Sequence, residues 1–221
     1  MRGLWGAVAL IVAGASLAHA EPLMRPSERA GMWDFTIQTR YTAAHTFNGE
    51  GGSKLAVEDD LGWGFGVGYN VNERLNIGGF VSWRTLDYTA TDISKTDATI
   101  KTNYSGWLDT GNFAASAIFN LLPKALTPYA QGTIGWALID TNIPSGISGG
   151  CYWDPWWGYI CGNYATTFGE DGVAYSLGGG LSLQPLDIFF LRVGYDRMWI
   201  DMNGAAKTAD MIRVDAGFLY K

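Results

Sequence analysis

VAYSLGGGLSL, residues 173–183, decides how this chain folds. Val173, Tyr175, Leu177, Gly179, Leu181 and Leu183 take one set of alternate positions. Ala174, Ser176, Gly178, Gly180 and Ser182 take the other. Successive side chains of a strand point to opposite faces, so this alternation predicts a strand with one bulky apolar face and one small, polar face. LGWGFGVGYN (61–70) repeats the pattern, with Leu61, Trp63, Phe65, Val67 and Tyr69 set against four glycines and Asn70.

Six further segments alternate in the same way. They are 32–41, 75–84, 107–121, 129–139, 188–199 and 210–221. The short connections 70–74, 122–127 and 184–187 carry Asn, Pro and Asp turn chemistry. The others, 43–58, 89–104, 140–171 and 201–209, are mostly long. Eight strands of roughly 9–11 residues, joined by alternately short and long connections, predict an all-β, eight-stranded antiparallel barrel able to cross a bilayer.

Two barrels fit eight alternating strands. A soluble carrier keeps its apolar residues inside, whereas a membrane barrel turns them to lipid and satisfies every backbone group by closure. The chain holds Trp 10, Tyr 11 and Phe 10. Rings from eight strands cannot all share so narrow an interior, while glycine and serine can. Aromatic residues also gather near strand ends, at Trp33, Tyr41, Tyr69, Trp83, Trp107, Phe119, Trp199 and Tyr220, as headgroup-level rings do. The membrane form is therefore expected.

With the bulky rows outside, Asp34, Arg40, Arg84, Arg192, Asp196, Arg213 and Asp215 face the lumen. Strand seven neighbours strand eight, and strand eight closes on strand one, so these charges are expected to form a cross-strand network. An unpaired buried charge costs several kcal/mol, so they must pair. The network could act as an ion gate or a binding site. A sealed polar core that fixes strand register is the reading preferred here, because eight strands leave only enough width for side chains.

The first twenty residues, MRGLWGAVALIVAGASLAHA, have the layout of an export signal. Arg2 is followed by an apolar run at 7–13, then Ala18-His19-Ala20 before Glu21. Residues 21–221 are expected to form a single barrel domain. The formal charge is −6, one unit more negative without Arg2, which argues against a nucleic-acid partner.

Export places the two cysteines in an oxidising compartment, where Cys151 and Cys161 read as one disulfide rather than a metal site. Between them, CYWDPWWGYIC (151–161) holds Tyr152, Trp153, Trp156, Trp157 and Tyr159. These rings could close over the barrel mouth, lie on headgroups, or form a platform for a surface glycan or protein. Exposed aromatic patches commonly serve recognition.

No catalytic, cofactor or metal site is expected. His45, the one histidine after the signal, lies in a long connection with no motif fixing a triad around it. The glycine rhythm of GWGFGVG (62–68) falls on one face of a strand rather than opening a helix. Glu58-Asp59-Asp60 lacks the ligand spacing of a calcium loop.

The strand pattern and the last strand, IRVDAGFLYK (212–221), resemble the small outer-membrane β-barrel superfamily of the OmpA transmembrane domain, OmpX and the opacity-type porin family proteins. Lys221 after Tyr220 departs from that family's terminal aromatic. The resemblance implies the outer membrane of a Gram-negative bacterium, with periplasmic termini. It implies outer-membrane lipid, lipopolysaccharide and the assembly machinery as partners. The expected role is non-enzymatic and structural, or one of surface interaction through the long loops. A narrow porin-like channel for small or hydrophobic solutes is the alternative.

Overall fold

The computed structural model describes residues 21–48, 54–93, 101–154, 158–202 and 205–221. The expected export signal, residues 1–20, lies outside them. A four-residue helix, α1 (Glu21–Met24), precedes ten strands. These are β1 (Trp33–Thr42), β2 (His45–Asn48), β3 (Lys54–Val57), β4 (Asp60–Asn70) and β5 (Leu75–Ile93), then β6 (Lys101–Asn120), β7 (Leu126–Asp154), β8 (Gly158–Leu186), β9 (Phe189–Met202) and β10 (Ala205–Tyr220).

Every barrel strand is antiparallel to both neighbours, and β1 pairs with β4 on one side and β10 on the other. The sheet order β5-β4-β1-β10-β9-β8-β7-β6 closes through β5–β6, giving an eight-stranded barrel with no free edge inside the ring. The small hairpin β2–β3 lies outside the ring and adds to the upper part of β5, with Lys54–Val57 against Thr91–Tyr88.

The alternation reads out directly as inside and outside. Leu177 and Leu181 are 64% and 56% exposed, whereas Ser176 and Ser182 are 6% and 2%. Trp33, Ile37, Trp63, Phe65, Ile77, Val81, Phe113 and Ile134 are likewise exposed, and Asp34, Gln38, Asn76, Gln131, Arg192 and Asp215 are buried. A chain with this distribution solvates its outer wall in hydrocarbon and its core in its own polar groups. Aromatic rings meet across the seams near the short-turn end, where Trp33 is the register partner of both Tyr69 and Tyr220. The Trp33 and Tyr69 rings lie 5.2 Å apart.

The short turns are built as their sequences suggest. Asn72 Oδ1 accepts the backbone N–H groups of Arg74 (2.8 Å) and Leu75 (2.9 Å), closing β4 onto β5. The Leu122 N–H donates to Thr127 Oγ1 at 2.9 Å between β6 and β7.

The long connections contain strand of their own. Residues 140–171 continue β7 and β8 as one two-stranded ladder as far as Asp154 and Gly158, interrupted by register shifts around Pro144. β5 and β6 likewise stay paired up to Ile93 and Lys101. Along this ribbon the sequence does not alternate apolar with polar residues, so the strand leaves no period-two mark. Hydrogen bonding between neighbouring arms keeps it extended.

At the short-turn end an N-terminal strap, residues 25–32, crosses the barrel mouth. Pro26 bridges to Lys124, the Ser27 N–H donates to Pro123 O (3.2 Å), and the Ala125 N–H donates to Arg25 O (3.0 Å). Arg25 reaches Asp187 and the Gln184 carbonyl. The other end is fixed beside β4, where the Gly31 N–H donates to Asn70 O at 2.7 Å. Gly31 sits at φ 73°, a left-handed conformation that a side chain would resist. β7 is four strands from β1 in either direction round the ring, so the strap runs along a diameter.

Candidate functional site

The lumen has two storeys. The one nearer the short turns is polar and filled. Arg213 is its hub: Nη1 lies 3.3 Å from Asp196 Oδ2, Nε lies 3.2 Å from Asp215 Oδ2, and Nη2 donates to Tyr129 Oη (3.0 Å) and to Gln131 Oε1. Arg192 Nη2 donates to Asp34 Oδ2 at 2.9 Å, and Asn76 Nδ2 donates to the same oxygen at 2.8 Å. All of these side chains are buried. Charge-assisted hydrogen bonds of this kind offset the cost of removing the ions from water.

Glycines make the room. A Cβ on Gly178 would stand 1.9 Å from Asp196 Oδ1, and one on Gly194 would stand 2.3 Å from Tyr129 Oη. The small face of VAYSLGGGLSL is thus the space into which the plug of the barrel is packed.

The strap adds Arg29, which is buried, with Nε donating to Ser27 Oγ (2.5 Å) and Nη2 to Lys124 O (2.9 Å). Burial, and then the nearby positive charge of Arg192, pull its guanidinium down to about 10. Arg29 was not among the inward charges read from alternation, because it lies before β1, where no strand period exists.

Two aromatic residues also sit inside. The Arg40 guanidinium lies 4.0 Å from the centre of the Phe80 ring, and that of Arg192 lies 4.2 Å from Phe190. Phe80 and Phe190 are buried and share the inward face with arginines four positions away or two. Position within the alternation marks them as inward, while their bulk argues for the outside, and the cation above each ring resolves the conflict.

The storey nearer the long hairpins is hollow. Ala137, Met198, Ile200 and Met211 lie on its wall, packed with Ala174 in one apolar cluster. The cavity has a volume of about 670 Å³ and reaches the rim at Ala43, Ala44 and Thr208. Arg40 and Arg84 also line it. Arg84 donates to Thr110 Oγ1 at 3.0 Å and to Thr42 Oγ1.

Of the expected aromatic platform, Trp156 and Trp157 lie outside the described residues. Tyr152 pairs in register with Ile160, and Trp153 with Tyr159, whose side chain is 77% exposed. Cys151 stands opposite Cys161. His45 begins β2, opposite Val57. Among the described residues no group of three or more His, Cys, Asp or Glu side chains could hold a metal ion. Asp59 accepts a hydrogen bond from Tyr41 Oη at 2.8 Å.

Comparison with known proteins bears on the fold. OprG, an outer-membrane protein of Pseudomonas aeruginosa, superposes with a TM-score of 0.54 at 10% identity, covering 88% of this chain and 98% of its own. Neisserial surface protein A superposes with a TM-score of 0.51 at 12% identity, covering 86% and 96%. Both likenesses are of architecture. No curated protein matches the chain. The model of the outer membrane protein β-barrel domain family matches residues 7–218, and with its closed ring, apolar outer wall and polar core this chain belongs to that family of outer-membrane barrels.

Proposed function

We propose that the protein is a non-enzymatic, non-conducting anchor that works at the cell surface, presenting the β7–β8 hairpin to a glycan or protein partner. The observation that carries this reading is the plug. Arg213 with its two aspartates, and Arg192 with Asp34, fill the lower lumen, and the strap lies across the mouth beneath them. A through-channel would require both to move. The short turns and both termini then face the periplasm, and the ladder beyond Asp140 projects outward.

A disulfide between Cys151 and Cys161 would staple the tip of that ladder. Directly opposed residues of antiparallel strands have Cα atoms about 4.5–5.5 Å apart, within the range a disulfide spans. The staple would hold Trp153 and Tyr159 in one arrangement, and rigid aromatic anchors supply much of the energy of protein recognition.

Planar-bilayer recording together with a binding screen tests the proposal. The intact protein should give no steady conductance. Screened against arrayed glycans and envelope or host-surface proteins, it should lose its ligand when residues 144–167 are replaced by a short turn. Steady unitary currents from the intact barrel, or ligand binding that survives removal of the hairpin, would overturn it.

A further inference from the structure

The upper cavity carries a charge pattern that the plug does not use. The two carboxylates around Arg213 and the one beside Arg192 pair directly with those two arginines, and Asp196 and Asp215 act on Arg40 only from beyond ion-pair distance. Among the described residues no carboxylate lies within ion-pair distance of Arg40 or Arg84. Arg40 is 6% exposed, lines the cavity, and its Nε has no hydrogen-bond partner. Its remaining contacts are Gln38 Oε1, 3.0 Å from Nη2, and the Phe80 ring. Arg84 donates to the Thr110 and Thr42 hydroxyl groups, and the Asp60 carboxylate acts on it from beyond ion-pair distance.

Gly62 stands between the two cations. It is the register partner of Arg40 on the adjacent strand, and a Cβ placed on it would lie 2.9 Å from Arg84 Cβ. Above this floor the wall turns apolar, with Leu86, Met198, Ile200 and Met211. Of the acids in the lining, Asp210 is held by Arg197 at 3.0 Å on the outside, and Glu170 lies in the upper part.

We infer that this cavity is a binding site for an anionic amphiphile, an aliphatic carboxylate arriving from the external medium. Its head sits between Arg40 and Arg84, and its chain runs along Met198, Ile200 and Met211. The anion supplies the direct ion pair that no described carboxylate makes with either guanidinium, and the chain lies along the apolar wall. A volume of about 670 Å³ suits such a ligand, since small-molecule sites span roughly 300–1,000 Å³. The inference does not depend on the hairpin reading, because the site lies inside the barrel.

The test uses the full mature chain in phosphatidylcholine nanodiscs, with radiolabelled decanoate and decanol as probes. Decanoate should bind saturably and at least about tenfold more tightly than decanol, the difference expected of charge-assisted contacts to the head. Arg40→Gln with Arg84→Gln should remove that preference while leaving decanol binding unchanged. Arg84→Lys should retain it. Met211→Trp, which fills the chain-binding wall, should weaken both probes. The heat-dependent shift in gel mobility reports that each variant is folded, and the comparison of the two probes on the unaltered protein needs no variant. Equal affinity for the two probes, no saturable decanoate binding above empty nanodiscs, or a decanoate preference that survives the double substitution would overturn the inference. Competition by phosphatidylglycerol added to the nanodisc would assign the site to bilayer lipid and overturn the external source.

Discussion

Arg40 and Arg213 are direct register partners across the β1–β10 seam, two guanidinium groups opposed at the join where the barrel closes. Like charges placed so are destabilising unless each is drawn elsewhere. Arg213 turns to Asp196, Asp215, Tyr129 and Gln131, and Arg40 turns to Gln38 and the face of Phe80. The seam thus depends on two sets of partners that pull the cations apart.

Removing the hub should be costly. Arg213→Met leaves Asp196 and Asp215 buried without their cation, a loss of about 3–5 kcal/mol for a broken buried pair. Asp215→Asn should cost less, because Asp196 still neutralises Arg213. Urea unfolding of the protein in lipid vesicles, followed by tryptophan fluorescence, measures both. Equal midpoints for the Arg213→Met variant and the parent would contradict the hub assignment.

The glycines that admit the plug should not tolerate a side chain. Gly178→Val would drive its Cβ into Asp196 and the Tyr195 carbonyl, so assembly into vesicles should fail. Gly132→Ala meets nothing closer than Leu177 Cδ2 at 3.6 Å and should assemble normally. The heat-dependent mobility shift of folded barrels separates the two outcomes.

The outer wall should show a depth profile. Leu177, exposed and well inside the stretch of β8 that pairs with β9 (173–186), faces the hydrocarbon, so Leu177→Arg should destabilise by about 2–4 kcal/mol. Leu186, at the end of β8 and also exposed, stands at the interface, where Leu186→Arg should cost about 1 kcal/mol or less. Equal penalties in vesicle titrations would mean that the apolar band is not centred on Leu177.

The hairpin tip should be chemically stapled. Alkylation of the unfolded chain should modify neither Cys151 nor Cys161 until a reductant is added. Reduction should then raise the rate of proteolysis within residues 144–167, since closing a ring of this size contributes about 2–3 kcal/mol on the loop-entropy model. Ready alkylation of the purified, unreduced protein would remove the staple from the proposed function.

How much of this could be read from residues alone follows from where a core exists to impose a period. Within the ring each strand meets lipid on one side and a narrow lumen on the other, so Leu177 and Ser176 are distinguishable by type. The same contrast places Asp34, Arg192 and Asp215 inside. Phe80 and Phe190 break the rule of bulk, because a cation–π contact makes an inward ring favourable, and that depends on a partner from another strand or two residues away. Arg29 and the β7–β8 ladder were hidden for a different reason: the strap has no sheet period, and residues 141–168 do not alternate apolar with polar side chains.

The diametric path of residues 25–32 carries an implication for the order of assembly. Its docking points belong to the turns at Pro123–Ala125 and Gln184–Asp187, and the second of these closes late in the chain. The crossbar can seat fully only after β8 and β9 are joined, which makes it a latch engaged near the end of folding. A fluorophore near Met24 and another near Asp187 would then time the completion of the barrel rather than its initiation.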